Sequence, residues 1–96
     1  MKKVYIFIYT GRVGTREEVK DVIDSIPEII AWRSEIPHSF YIVSESNADF
    51  LADIFLQRLG KKGLFLVSEI SNNYQGWLPK RTWHLLNKKE LPPKEK

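Results

Sequence analysis

Val4-Tyr5-Ile6-Phe7-Ile8-Tyr9 is the stretch on which the fold turns. All six residues are β-branched or aromatic, and no polar residue interrupts them, as expected of a central strand buried on both faces. Successive side chains of a strand point to opposite faces. Tyr5, Phe7 and Tyr9 therefore share one face, and Val4, Ile6 and Ile8 the other. Such a strand needs a neighbour on each edge and cover on each side, and the rest of the chain has to supply both.

Working outward, Thr10-Gly11-Arg12-Val13-Gly14 reads as a loop, and Thr15-Arg16-Glu17-Glu18 has the spacing of a capping box. Val19, Val22, Ile23 and Ile26 recur at helical spacing until Pro27 ends the helix. The acids Glu17, Glu18 and Asp21 suit the positive end of its dipole. Residues 29–35 read as a second strand, Ile36-Pro37-His38-Ser39 as a turn, and residues 40–44 as an apolar third strand. So short a linker predicts a hairpin. Ser46 or Asn47 caps a second helix with the stripe Phe50 or Leu51, Ile54, Phe55 and Leu59, stopped by Gly60. Lys61-Lys62-Gly63 then turns the chain into a fourth strand over residues 64–70. The order β-α-β-β-α-β is the split βαβ pattern, and right-handed crossovers place the first and third strands in the middle. The predicted fold class is α+β: a ferredoxin-like βαββαβ sandwich with a short C-terminal helical extension opened by Pro79. Residues 1–87 form this single domain, and 88–96 read as a disordered basic tail.

At 43% hydrophobic and 28% charged, the composition is that of an ordinary globular domain. Without cysteine, a disulfide framework and thiolate metal sites are excluded. The apolar run after Lys3 is too short for a secretory signal core, and no stretch approaches the roughly 20 apolar residues of a membrane span. The expectation is a cytoplasmic chain with no cofactor, no bound metal and no membrane partner. The net charge is +3, with a slight acidic excess in residues 1–48 and the whole basic excess in 49–96. A basic C-terminal half suits nucleic acid, and equally suits plain solubility.

In the predicted topology both helices cover one sheet face. The aliphatic set Val4, Ile6 and Ile8 is expected beneath them. The aromatic set Tyr5, Phe7 and Tyr9 is expected on the open side, joined by Phe40 and Ile42 or by Tyr41 and Val43. That much apolar surface exceeds what a monomer leaves in water. Three covers compete: a second copy packed sheet to sheet, stacked bases, or the chain's own C-terminal segment. Ser39-Phe40-Tyr41-Ile42-Val43 lacks the basic and glycine residues of an RNA-recognition strand. Dimerisation is the leading expectation, with Tyr5, Phe7, Tyr9, Trp77 and Trp83 as interface residues.

The segment Ser71-Asn72-Asn73-Tyr74-Gln75-Gly76-Trp77-Leu78-Pro79-Lys80-Arg81-Thr82-Trp83 places Gly-Trp-Leu-Pro and a Trp-bearing helix directly after the fourth strand. With the β-α-β-β-α-β order, it resembles the small bacterial and phage proteins labelled SinR-like. These look like relatives of the second CRISPR-associated protein and, more loosely, of VapD-type toxins; the sharpest match is residues 74–83. The resemblance implies a ferredoxin-like homodimer in which the segment after strand four crosses to the partner. It also implies an association with nucleic acid, and a nuclease activity resting on a metal-binding acid at the end of the first strand. Here those positions read Ile8-Tyr9-Thr10-Gly11, without a carboxylate to hold a divalent cation.

Other candidate residues follow from their types and places. Glu35, His38 and Glu45, near the sheet ends, are the groups expected to act if the chain cuts, with Arg33 beside them. His84 lies in the C-terminal helix, and Asp49 and Asp53 share a helix face as solvated acids do. Gly11-Arg12-Val13-Gly14-Thr15 leads into a helix N-terminus, an anion site in principle, with Arg12 and Arg16 as its cations. Lys80, Arg81, Lys88 and Lys89 form a basic set around Trp83, suited to a phosphate backbone. Trp32 and Arg33 fall on an edge strand, where Arg33 would deter edge pairing. The function expected is a non-enzymatic homodimeric module, associated with nucleic acid or a protein partner in a bacterial or phage system. The alternative is a ribonuclease or metal-dependent nuclease of the same fold.

Overall fold

In the computed structural model, which describes residues 1–93, four strands form one antiparallel sheet. They are β1 (Lys3–Tyr9), β2 (Ile29–Arg33), β3 (Ser39–Ser44) and β4 (Phe65–Ile70), in the spatial order β2-β3-β1-β4. The helices are α1 (Arg16–Asp24), α2 (Ala48–Leu59) and α3 (Lys80–Lys88), and one 3-10 turn, Gly11–Val13, follows β1. The described residues thus form a small α+β domain of four antiparallel strands and three α-helices. Of the expected tail, Lys88 closes α3, while Lys94, Glu95 and Lys96 lie outside the described residues.

Local chemistry sets the boundaries. The Thr15 hydroxyl accepts from the Glu18 amide at 3.1 Å, and Glu18 Oε1 accepts from the Thr15 amide at 2.8 Å, which is the predicted capping box. Asn47 rather than Ser46 caps α2, its Oδ1 accepting from the Phe50 amide at 2.8 Å. Gly60 ends α2 with φ +79°, a conformation that costs glycine nothing. β2 stops at Arg33, two residues short of the expected end, because side chains take over the bonding in the hairpin. Ser34 Oγ donates to the Ser39 carbonyl at 2.9 Å, and Ser39 Oγ donates to the Ile36 carbonyl at 2.7 Å.

The sheet faces are reversed from the sequence expectation. Tyr5, Phe7 and Tyr9 are 1%, 0% and 3% exposed, and they lie on the side of α1 and α2. There they pack among Val19, Ile23, Leu51 and Phe55, joined by Phe40 and Ile42 from β3. Volume explains the choice: rings fill a sheet–helix gap about 10 Å deep better than aliphatic stubs do. Phe7 stacks on Phe55 with centroids 4.2 Å apart, and the Tyr5 hydroxyl reaches the rim to donate to the Ser46 carbonyl at 2.6 Å. Tyr5, Phe7 and Tyr9 are therefore core residues rather than interface residues.

The other face is covered by the chain itself. Thr82, Leu85 and Leu86 are the buried residues of α3, and the two leucines pack on Val4, Ala31, Tyr41 and Val43. Each buried leucine contributes about 1.5–3 kcal/mol. The cover is incomplete toward the free edge of β4. Ile8, Leu66 and Leu64 remain 43%, 59% and 76% exposed, and Trp77, in the segment between β4 and α3, is 98% exposed.

Candidate functional site

Two hollows gather the polar residues of interest, one at each end of β1. The first, about 420 Å³, lies at its C-terminal end, between the turn leading into α1 and the β2–β3 hairpin. Tyr9, Thr15, Arg16, Ser34, Glu35 and His38 line it. His38 adopts φ +62°, an uncommon conformation for a residue with a side chain. Its carbonyl accepts from the Tyr9 amide at 3.0 Å, and its ring meets the Tyr9 ring edge-on at 5.5 Å. Arg16 opens α1 and lies over the Phe40 ring, with its guanidinium carbon 5.6 Å from the centroid.

Tyr9 is the unusual member. Its hydroxyl is buried and has no hydrogen-bond partner among the described residues. Burial pushes this hydroxyl up from its ordinary range, and the nearby Arg16 charge only partly opposes that. At neutral pH it is therefore a protonated donor.

Glu35 is committed elsewhere. Its Oε2 accepts from Thr82 Oγ1 at 2.7 Å and from Arg33, which ties α3 to the hairpin. Partial burial on its own pushes its pKa up. Hydrogen bonds from Thr82 and Arg33, with the charges of Arg33 and Arg81, outweigh that and hold the carboxyl below the usual carboxylate range. A carboxylate so held is a structural anchor more than a general base.

The second hollow, about 470 Å³, lies at the N-terminal end of β1 beside the ends of β4 and α3. Lys2, Lys3 and Lys89 line it with Ser71, Asn72, Tyr74 and Asn87, and Glu69 is its one acid among the described residues. Tyr74 stacks on Trp83 at 6.2 Å and donates to Asn87 Oδ1 at 2.7 Å, which fixes this wall.

The expected residues are thus redistributed. Glu35, His38 and Arg16 meet in one cleft, but exposed Glu45 follows the far end of β3, about 20 Å away along a six-residue strand, and does not join them. Arg12 is exposed in the 3-10 turn. The basic set on α3 divides. Lys80 and Arg81 sit at its start, with Arg81 beside Glu35, while Lys88 and Lys89 lie one helix length away, about 12 Å. Trp83 packs within the chain and Trp77 does not. His84 Nε2 lies 3.6 Å from Glu90. Asp49 and Asp53 are exposed, and among the described residues no three His, Asp or Glu side chains come together as metal ligands. Likewise, no helix there is long and apolar enough to cross a membrane.

Sequence reasoning missed Lys2, Lys3 and Tyr74 as partners of Lys89. A lysine pair opening a central strand, and an aromatic just past its neighbour, mark one end of the sheet and were a usable signal. The Tyr9 hydroxyl was hidden by reading Tyr9 as an apolar surface residue. No family model, curated protein or solved structure matches this chain.

Proposed function

We propose that the chain is a non-enzymatic homodimeric module that holds nucleic acid in the groove at the N-terminal end of β1. It would work in the cytoplasm of the bacterial or phage setting that the SinR-like resemblance suggests. The observation that carries this reading is the convergence of Lys2, Lys3 and Lys89 on one hollow with Tyr74, Asn72 and Asn87. Lysines supply phosphate contacts, and amides with an aromatic edge suit exposed bases. The strand order β2-β3-β1-β4, with helices after β1 and β3, supports the ferredoxin-like arrangement. The exposed strip Ile8, Leu64 and Leu66 beside the unpaired edge of β4 supports pairing through that edge, and Trp77 is a further exposed apolar side chain open to a partner.

The test is mass in solution for the wild type and Trp77→Ala, with labelled RNA and DNA at low and moderate salt. The expected result is a dimer that Trp77→Ala converts to a monomer that still folds, since Trp77 contributes almost nothing to the monomer's burial, with a melting temperature that no longer depends on protein concentration. Binding should weaken steeply with salt. Each lysine contact removed by Lys2→Gln, Lys3→Gln or Lys89→Gln should reduce the log–log slope by about 0.7 on single strands or 0.9 on duplex DNA. A stable dimer indifferent to both nucleic acids would refute the binding half, and a wild-type monomer the dimer half.

One observation favours a second reading, a ribonuclease: His38, Tyr9 and Arg16 share a cleft. In that case His38→Ala abolishes cleavage while Glu35→Gln does not, because Glu35 is engaged by Thr82 and Arg33.

A further inference from the structure

We propose that the cleft at the C-terminal end of β1 binds a phosphoryl group, held by the Tyr9 hydroxyl, the Arg16 guanidinium and the first amides of α1. The site is separate from the lysine-lined groove and does not depend on it.

Three features converge. Tyr9 is 3% exposed, yet its hydroxyl has no hydrogen-bond partner among the described residues. A buried donor left unmade is costly, so such a group marks a place where an acceptor is meant to sit. Next, α1 is a nine-residue helix whose N-terminus opens on the same cleft. Thr15 takes the Glu18 and Val19 amides, while the Arg16 and Glu17 amides precede any acceptor within the helix. These amides and the helix dipole favour an anion. Finally, Arg16 adds a full charge close enough to act on the Tyr9 hydroxyl.

The acids nearby do not fill the site. Glu18 is closed into the capping box, Glu17 is an exposed partner of Arg16 at 3.7 Å, and Glu35 is neutralised by Arg33 and hydrogen-bonded by Thr82. The cleft combines three kinds of donor: a ring hydroxyl, a guanidinium and the amides of a helix end. That arrangement suits an oxyanion with several acceptor oxygens, as a phosphoryl group has, better than a flat carboxylate. The hollow, about 420 Å³, is within the range of small-molecule sites, roughly 300–1,000 Å³. Ile36 and Pro37 add an exposed apolar wall beside the His38 ring, where a nucleobase carried on the phosphate would lie. The ligand class is therefore a nucleoside phosphate, either free or as the phosphorylated end of a strand.

The experiment is calorimetric titration with adenosine 5′-monophosphate, and with a short RNA bearing either a 5′-phosphate or a 5′-hydroxyl. The proteins are the wild type, Tyr9→Phe, Arg16→Gln and the triple lysine variant Lys2→Gln/Lys3→Gln/Lys89→Gln. Tyr9→Phe keeps the buried ring and removes only the unpartnered hydroxyl, so it should fold with unchanged or raised melting temperature. It should nonetheless bind the monophosphate about tenfold or more weakly, the loss of one hydrogen bond to a charged group. Arg16→Gln should lose at least as much, and the triple lysine variant nothing. Preference for the 5′-phosphorylated RNA, with competition by the monophosphate, assigns the site to strand ends. Monophosphate binding with no such preference assigns it to free nucleotides. No monophosphate binding at millimolar concentration, or equal binding by wild type and Tyr9→Phe, would overturn the proposal and leave the hydroxyl a buried donor without a ligand. Because the lysine variant is carried alongside, failure here and failure of the groove reading are told apart.

Discussion

The reversed sheet faces make a quantitative prediction. Phe7 is fully buried, stacked 4.2 Å from Phe55 and with Phe65 and Tyr9 rings 5.5 and 5.4 Å away. Phe7→Ala removes those contacts and leaves a cavity, at about 3–5 kcal/mol. A domain of this size has only roughly 5–15 kcal/mol in all. Ile8, next in sequence but on the other face, is 43% exposed. Full burial of an isoleucine is worth about 1.5–3 kcal/mol, so Ile8→Ala should cost about 1 kcal/mol. Urea unfolding followed by circular dichroism reads both. If Phe7→Ala is too unstable to measure, Phe7→Leu, at about 1–2 kcal/mol, is readable and lowers the melting temperature by roughly 4–16 °C. A cycle of Phe7→Leu with Phe55→Leu should show a coupling of about 0.5–1.5 kcal/mol from the stacked pair. An Ile8→Ala variant as damaged as Phe7→Ala, or no coupling between positions 7 and 55, would refute the placement of the aromatic set beneath the helices.

Glu35 gives a pH dependence. Its carboxyl is held below the usual range in the folded state, so its stabilisation is complete above the unfolded value of about 4.3. That stabilisation is lost as pH falls through the lowered folded value. Glu35→Gln should therefore melt below the wild type at pH 7, and the difference should vanish toward pH 3; a constant difference would show that the ion pair is not the cause. Gly63→Ala would place a Cβ 2.6 Å from Thr10 Oγ1 and 2.9 Å from the Val13 amide nitrogen, a clash worth about 1–3 kcal/mol. Gly76→Ala, with nothing within 4 Å, should change the melting temperature little and serves as its control.

Most of the element order was legible because it rests on local signals: the capping box at Thr15, the stripe from Leu51 to Leu59, the stop at Gly60. The face assignment was not. Alternation along Val4–Tyr9 separates two sets of side chains but cannot orient them when both are apolar. What orients them is fit, and fit depends on Phe55, Val19 and Ile23, far away in sequence. One clue was present: Thr82, Leu85 and Leu86 form an i, i+3, i+4 stripe that needs a surface, and the face away from α1 and α2 was the one left. Glu35 and His38 were legible as a pair near a strand end. The Tyr9 hydroxyl was not, because sequence gives no sign of whether a buried donor has a partner.

α3 connects the two candidate sites mechanically. Near its start, Thr82 fixes Glu35, which walls the phosphoryl cleft; near its end, Asn87 and Lys89 form part of the lysine groove. Between them the helix is held by Leu85 and Leu86 against the sheet. A helix of nine residues would be marginal alone, so its order comes from these contacts. The two hollows lie at opposite ends of β1, about 20 Å apart along its seven residues, too far to share one phosphate yet within reach of a strand of several nucleotides.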